Sequence, residues 1–190
     1  MHSAPVRLLE PDRYSDARGW FTETYSERSF AALGIAARFV QDNHSYSRRP
    51  FTLRGLHFQV PPHAQDKLVR CIRGRIWDVA VDVRVGSPTY GRHVAAELSA
   101  ENGRQLFVPI GFAHGFLTLE PDTEVTYKCS ALYAPGSESG LIWNDADLAL
   151  PWPLPAGAEP ELSPKDRLLP PFAEFQSSFA YDGRPLTPLG

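Results

Sequence analysis

The side chains best suited to chemistry in this 190-residue chain gather around the stretch Leu53–Arg84, LRGLHFQVPPHAQDKLVRCIRGRIWDVAVDVR, where histidine, lysine and arginine sit among alternating apolar residues. His57 has the character of a general base, because neutral imidazole is matched to neutral pH. A base of that kind is oriented by a carboxylate on its other ring nitrogen. Asp166, in Ser163-Pro164-Lys165-Asp166, is one candidate, and Asp78 and Asp82 are others; spacing does not choose among them. Lys67, with Arg54 close by in the chain, could neutralise a developing oxyanion, and Tyr127 could deliver a proton. Each residue also has a plainer use: His57 as a structural histidine, Tyr127 as a core or rim tyrosine.

A metal site is the competing use of the six histidines. A strand-borne site would need imidazoles and a carboxylate at closely spaced positions, and His57-Phe58-Gln59 places glutamine where an alternating second ligand would stand. His114 alone does not make a site. His2, His44, His63 and His93 fall in a tail, a polar loop, a Pro-rich loop and after a turn, where surface or hydrogen-bonding roles are expected. No metal and no cofactor are expected.

Groups that do chemistry on a small polar substrate need rigid carriers. Lys67–Ile72 and Ile76–Arg84, separated by Arg73-Gly74-Arg75, read as a β-hairpin. In the second strand Trp77, Val79, Val81 and Val83 share an apolar face, opposite Ile76, Asp78, Ala80 and Asp82. Leu53–Gln59 alternates as well, until Pro61-Pro62. Upstream, Pro5–Tyr25 reads as an extended arm with a turn at Asp16–Gly19, Ser26–Leu33 as a short helix capped by Ser26, and Phe39–Ser45 as a strand entering a polar loop, Tyr46–Pro50. Downstream, His93–Leu98 and Arg104–Val108 flank Asn102-Gly103, a hairpin signal. His114–Leu119 and Glu124–Ser130 are further strands. From Ala134 the alternation fades into a Pro-rich tail that covers surface. Short strands with regular turn signals spell an all-β barrel or double-sheet jelly roll with few short helices.

One domain over residues 1–190 is expected, with an arm at 1–25 and a tail from about 150; a fold of this size buries roughly 70% of its unfolded surface. The formal charge of -3 argues against a general nucleic-acid binder. Neither a signal segment nor an apolar run of membrane-spanning length is present, so no membrane partner is expected. Cys71 and Cys129 each lie in apolar alternation and read as reduced, buried strand residues, which fits a cytoplasmic protein.

Ordered motifs then point to a family. Asp16-Ala17-Arg18-Gly19 with Phe21-Thr22-Glu23, Gln41-Asp42-Asn43-His44-Ser45, Leu53-Arg54-Gly55-Leu56-His57-Phe58-Gln59, Lys67-Leu68-Val69-Arg70-Cys71, Pro109-Ile110-Gly111-Phe112-Ala113-His114 and Leu162-Ser163-Pro164-Lys165-Asp166 resemble the dTDP-4-dehydrorhamnose 3,5-epimerases over roughly residues 5–172. The resemblance implies a metal-free, cupin-like double-stranded β-helix acting as a homodimer on a dTDP-sugar, with the N-terminal arm helping to form the dimer. It implies His57 as base, Asp166 as its carboxylate, Lys67 beside the carbonyl oxygen and Tyr127 as acid. Arg18, Glu23, Gln41, Asn43, Arg54, His114, Tyr133, Glu138 and Lys165 match positions that line the sugar-nucleotide site. Leu132 stands where some members have tyrosine, and the loop Tyr46–Thr52 is one residue longer than in some relatives. Rival readings are a relative that inverts only carbon 3 or carbon 5, a ketoisomerase of a related deoxysugar nucleotide, and a non-catalytic sugar-nucleotide-binding cupin. Product stereochemistry separates them.

Overall fold

Period-two alternation makes strands that show one side to a shared interior and the other to a covering layer. The computed structural model, which describes residues 5–189, arranges them in that way; His2 lies outside the described residues. The chain begins with β1 (Arg7–Leu9), the exposed hairpin of β2 (Tyr14–Asp16) and β3 (Gly19–Phe21), and the helix α1 (Glu27–Ala32). Ser26 caps that helix, its Oγ accepting from the Ser29 N–H at 3.2 Å. Then come β4 (Gln41–Ser47), β5 (Leu53–Gln59), β6 (Lys67–Arg73), β7 (Arg75–Asp82), β8 (Arg84–Val85), β9 (His93–Ser99), β10 (Gln105–Val108), β11 (Phe112–Thr118), β12 (Thr123–Cys129), β13 (Glu138–Gly140) and β14 (Phe179–Ala180).

Two five-stranded antiparallel sheets face each other, in the orders β1-β10-β6-β12-β4 and β13-β5-β11-β7-β9. From β4 to β13 nearly every connection carries the chain from one sheet to the other, which makes the barrel a jelly roll. Two turns read above as hairpins are corners of this kind. β6 pairs with β10 and β12, whereas β7 pairs with β11 and β9; β9 and β10 also lie in opposite sheets. Both turn types need a residue at positive φ, so the local signal is the same, and the strands that accept the pairing are distant in sequence. Gly74 stands at φ +76°, where an added Cβ would lie 2.5 Å from Thr123 Oγ1. At the other corner Asn102 Oδ1 accepts from the N–H groups of Ser99 (3.0 Å) and Arg104 (2.9 Å).

Three apolar clusters follow from this layering. Val69, Leu106 and Val125 of one sheet meet Ile76, Leu98 and Phe112 of the other inside the barrel. Phe107, Leu68, Phe30 and Ile35 fill the outer side of the first sheet, beneath α1. The face of Val79 and Val81 is not the interior: with Val83, Leu56 and Phe58 it packs outward under Leu148, Phe179 and the half-buried Trp152, Phe172 and Phe175 of the C-terminal segment. Each fully buried side chain of this size contributes about 1.5–3 kcal/mol. The Pro-rich tail is therefore the outer layer of the second sheet. It also adds one strand, β14, parallel to β8.

Candidate active site

One end of the barrel opens into a cavity of about 720 Å³ whose walls include His57, Lys67, His114, Tyr127 and Asp166. β5 and β11 place His57 and His114 opposite each other in register. The two strands can approach because neither carries a side chain at the crossing. A Cβ on Gly55, at φ +127°, would lie 2.6 Å from Gly115 Cα, and one on Gly115 would lie 2.9 Å from the Arg54 carbonyl oxygen.

The three carboxylates that spacing left open take three different partners. Asp166 Oδ1 lies 2.6 Å from His57 Nε2. Asp78 Oδ1 lies 2.7 Å from His114 Nε2. Asp82 receives the Arg84 guanidinium at 2.7 and 2.8 Å. Asp166 comes from a short 3-10 turn, Asp166–Leu168, in the C-terminal segment. Burial alone would raise its carboxyl; hydrogen bonds from His57, Ser163 and the Gly55 N–H outweigh that and hold it below the ordinary carboxylate range.

Lys67 and Tyr127 reach the cavity from the opposite sheet. Lys67, buried, donates from Nζ to the His57 carbonyl oxygen at 3.2 Å. Its burial lowers the ammonium below the ordinary lysine value, against the opposing influence of Cys129, Asp78 and Glu138. Tyr127 is half-buried, and burial raises its phenol, so it is a neutral donor at pH 7. Val125 and Cys129, two residues to either side of it, are buried; both cysteines are free thiols.

A smaller recess of about 240 Å³ shares His57, Lys67 and Tyr127 with the main cavity and adds Gln41, Asn43, Tyr133 and Glu138. These form a connected polar wall. Gln41 Nε2 donates to Asn43 Oδ1 at 3.0 Å, and Gln41 Oε1 accepts from the Tyr133 N–H at 2.8 Å. The Tyr133 hydroxyl donates to Glu138 at 2.9 Å, and Lys165 is ion-paired to Glu138. Arg54 lines the main cavity, its Nη2 donating to the Tyr46 carbonyl oxygen at 3.1 Å. Arg18 and Glu23 are not brought to this place within one chain. Arg18 is exposed at the tip of the β2–β3 hairpin, paired with Asp16. Glu23 accepts from Ser29 Oγ at 2.8 Å and lines a separate cavity beside β1.

Sequence reasoning did not single out Gln59 as a site-builder. Its buried amide donates to the His63 and Leu132 carbonyl oxygens and accepts from the Ala134 N–H, fixing the loop that carries Tyr133. The glutamine in the His57-Phe58-Gln59 alternation was the available signal. Among the described residues no three His, Cys, Asp or Glu side chains converge as a metal-binding set.

The profile of the family described as dTDP-4-dehydrorhamnose 3,5-epimerase matches residues 3–174. The dTDP-4-dehydrorhamnose 3,5-epimerase of Sinorhizobium fredii is 50% identical over 178 residues, which is 94% of this chain and 90% of that protein. Among solved structures, the dTDP-4-dehydrorhamnose 3,5-epimerase of Bacillus anthracis, with TDP and PPi bound, superposes with a TM-score of 0.84 at 51% identity, covering 87% of this chain and 93% of that one. The dTDP-6-deoxy-D-glucose-3,5-epimerase of Legionella pneumophila, in complex with dTDP-4-keto-L-rhamnose, gives a TM-score of 0.85 at 44% identity, covering 90% and 89%. With this likeness spanning both the barrel and the segment that delivers Asp166, the chain belongs to the dTDP-4-dehydrorhamnose 3,5-epimerase family.

Proposed function

We propose that this chain, as a dTDP-4-dehydrorhamnose 3,5-epimerase, inverts carbons 3 and 5 of dTDP-4-dehydro-6-deoxy-D-glucose to give dTDP-4-dehydro-L-rhamnose, with His57, Asp166, Lys67 and Tyr127 dividing the proton transfers. The observation that carries the reading is the placement of a carboxylate-held histidine on one sheet and a neutral phenol on the facing sheet, both lining one cavity with the Lys67 ammonium, which donates to the His57 carbonyl oxygen. A carbonyl at carbon 4 acidifies the hydrogens on carbons 3 and 5. With Nε2–H donated to Asp166, Nδ1 of His57 keeps a lone pair and takes one of those protons. The C–H electron pair moves into the ring and the carbonyl oxygen becomes an enolate oxygen, stabilised by Lys67. Collapse of the enolate takes a proton from Tyr127 on the opposite face, which inverts that carbon and leaves His57 protonated and Tyr127 a phenolate; His57 gives its proton to water and the phenolate takes one from water, after which the second carbon follows by the same steps. A preorganised donor such as Lys67 is worth roughly a hundred- to a thousandfold in rate.

Gln41, Asn43, Tyr133 and Glu138 supply the polar wall for the nucleotide part, and Arg54, His114 and Lys165 line the rest of the sugar-nucleotide path. The working form is a cytoplasmic homodimer. Tyr14, Trp20 and Phe21 on the β2–β3 hairpin are more than half exposed, and pairing of two arms would cover them while bringing Arg18 and Glu23 of one protomer to the site of the other. Free, buried Cys71 and Cys129 suit a reducing compartment.

Incubation with dTDP-4-dehydro-6-deoxy-D-glucose in deuterium oxide, read by NMR, tests this. Label at both carbons together with inversion at both is expected; inversion at one carbon alone would make the chain a mono-epimerase. Tyr127→Phe should keep exchanging label while forming little inverted sugar. Equal loss of exchange and inversion, with the fold intact, would remove Tyr127 from the role of opposite-face acid.

A further inference from the structure

The loop that carries Tyr133 is held by side-chain amides rather than by strand pairing. β12 ends at Cys129 and the next element, a 3-10 turn, starts at Pro135, so residues 131–134 belong to no helix or strand. Backbone groups in such a stretch commonly bond to water, and Leu132 and Tyr133 are exposed. Each of the four residues nevertheless bonds to a glutamine. The Ala131 carbonyl oxygen accepts from Gln65 Nε2 at 2.7 Å, and the Leu132 carbonyl oxygen from Gln59 Nε2 at 3.2 Å. The Tyr133 N–H donates to Gln41 Oε1 at 2.8 Å, and the Ala134 N–H to Gln59 Oε1 at 2.7 Å. Ser130 extends the series, its N–H donating to the Asp66 carbonyl oxygen at 3.0 Å.

The three glutamines come from different places: Gln41 from β4, Gln59 from the end of β5, and Gln65 from the loop between β5 and β6. A primary amide offers two donors and an acceptor from one group. Gln59, buried, uses all three, its other donor bond going to the His63 carbonyl oxygen at 2.6 Å. Strand register also sets Gln59 opposite Glu138, the carboxylate that accepts from the Tyr133 hydroxyl at 2.9 Å. Tyr133 is therefore tied at its backbone and at its hydroxyl, while 54% of the residue stays open to solvent. Gln59 and Gln65 line the small recess, yet their hydrogen bonds go to loop backbone and not to His57, Lys67 or Tyr127. A loop fixed in advance loses less conformational entropy when a ligand binds to it.

We propose that Gln59 and Gln65 are positioning residues for nucleotide binding: with Gln41 they hold residues 131–134 in one conformation before the ligand arrives, and so set the affinity for the nucleoside part of the substrate through Tyr133. The inference rests on the epimerase reading, in which Tyr133 belongs to the nucleotide wall. The test titrates dTDP calorimetrically into wild type, Gln59→Met, Gln65→Met, Tyr133→Ala, and each glutamine variant combined with Tyr133→Ala. Methionine keeps the length of the side chain and removes the amide. Gln59→Met should weaken dTDP binding roughly ten- to fiftyfold and Gln65→Met roughly three- to tenfold. In the Tyr133→Ala background each should weaken it less than about twofold, because the support then has nothing to aim. Inorganic pyrophosphate carries no nucleoside, and its competition with substrate should change less than about twofold in either glutamine variant. In steady-state kinetics KM should rise with the dTDP dissociation constant while kcat changes less than about twofold. Unchanged dTDP affinity, even with a lowered urea midpoint, a loss of equal size with and without Tyr133, or a parallel loss of pyrophosphate competition would each overturn the proposal. Should Gln59→Met fail to fold, Gln65→Met, which removes one bond from a half-buried side chain, decides the matter. If the wild type bound dTDP but did not turn over dTDP-4-dehydro-6-deoxy-D-glucose, the epimerase reading would fall, and the dTDP titrations would still decide the role of the glutamines.

Discussion

Two histidine–carboxylate pairs stand next to each other on β5 and β11, with almost the same contact length and opposite surroundings. His57 is 30% exposed and Asp166 4%, at 2.6 Å; His114 is 7% exposed and Asp78 is fully buried, at 2.7 Å. Asp78 reaches His114 from the neighbouring strand β7, and its second oxygen, Oδ2, has no hydrogen-bond partner among the described residues. Asp166 arrives from the covering segment and gathers bonds from Ser163 and Gly55 as well. A proton can move between His57 and a molecule in the cavity because part of the ring is open to it. His114 also borders the cavity, but its more deeply buried pair with Asp78 fixes the ring in place. The difference shows that a histidine–carboxylate contact is not by itself a sign of proton transfer; access to the other ring nitrogen decides.

Substitutions can break this comparison. The largest effect is expected at the open pair: His57→Asn should lower turnover and solvent exchange by roughly a hundred- to ten-thousandfold, with nucleotide affinity retained. Normal exchange in this variant, measured in deuterium oxide, would place the base elsewhere. Lys67→Met should cost about a hundred- to a thousandfold in kcat. Because burial lowers the Lys67 ammonium, the charged form needed for the enolate is lost as pH rises through that lowered value. The alkaline limb of kcat should therefore lie below the ordinary lysine pKa of about 10.4, and should be missing from the residual activity of Lys67→Met.

The more deeply buried pair should show itself in stability. Asp78→Ala leaves His114 buried without its acceptor and should cost about 1–3 kcal/mol in urea unfolding. Asp166→Ala should cost less, because His57 can turn to water; a greater loss for Asp166 would reverse the assignment of roles. The smallest effect concerns Asp66, a half-buried carboxylate that accepts from the Ile110 N–H at 3.0 Å and has no cation partner among the described residues. Burial raises its pKa, whereas Asp166 is lowered. The signs are therefore opposite. Asp166 stabilises the fold above the unfolded carboxylate value of about 3.9, and this is lost as pH falls through its lowered folded value. Asp66 opposes folding at neutral pH and ceases to do so as pH falls through its raised folded value. Asp66→Asn should gain about 0.5 kcal/mol at pH 7 and nothing near pH 3; a gain independent of pH would mean that charge is not the cause.

The parts of the molecule governed by neighbours in the chain were legible in its sequence. Alternation located β5, β7 and β12, and Ser26 with Phe30 located the helix. What could not be read is whatever depends on which strand lies beside which. Gly74 and Gly103 signal a reversal, and only the long-range pairing of β6 with β10 and β12 turns the first into a corner. Val79 and Val81 signal an apolar face, yet that face belongs to the outer layer because an unpatterned, Pro-rich segment covers it. Asp166, Asp78 and Asp82 are equivalent as letters; topology gives each a different cation or imidazole. The resemblance supplied the choice of Asp166 for His57, which spacing could not. It also named Arg18 and Glu23, whose distance from the cavity in a single chain no local pattern discloses.

The delivery of Asp166 by the covering segment has a consequence for the order in which the enzyme comes into being. A ribosome releases β4 to β13 before residue 166, so the barrel strands bearing His57, Lys67 and Tyr127 can pair while their carboxylate is still in the exit tunnel. Such an intermediate lacks the cavity wall that residues 161–166 supply and has an unheld imidazole. The His57–Asp166 contact forms only when the Pro-rich segment settles over Val79, Val81 and Leu56. On the proposed division of roles, turnover by this chain is thus a late certificate of biosynthesis, issued after the outer layer has docked.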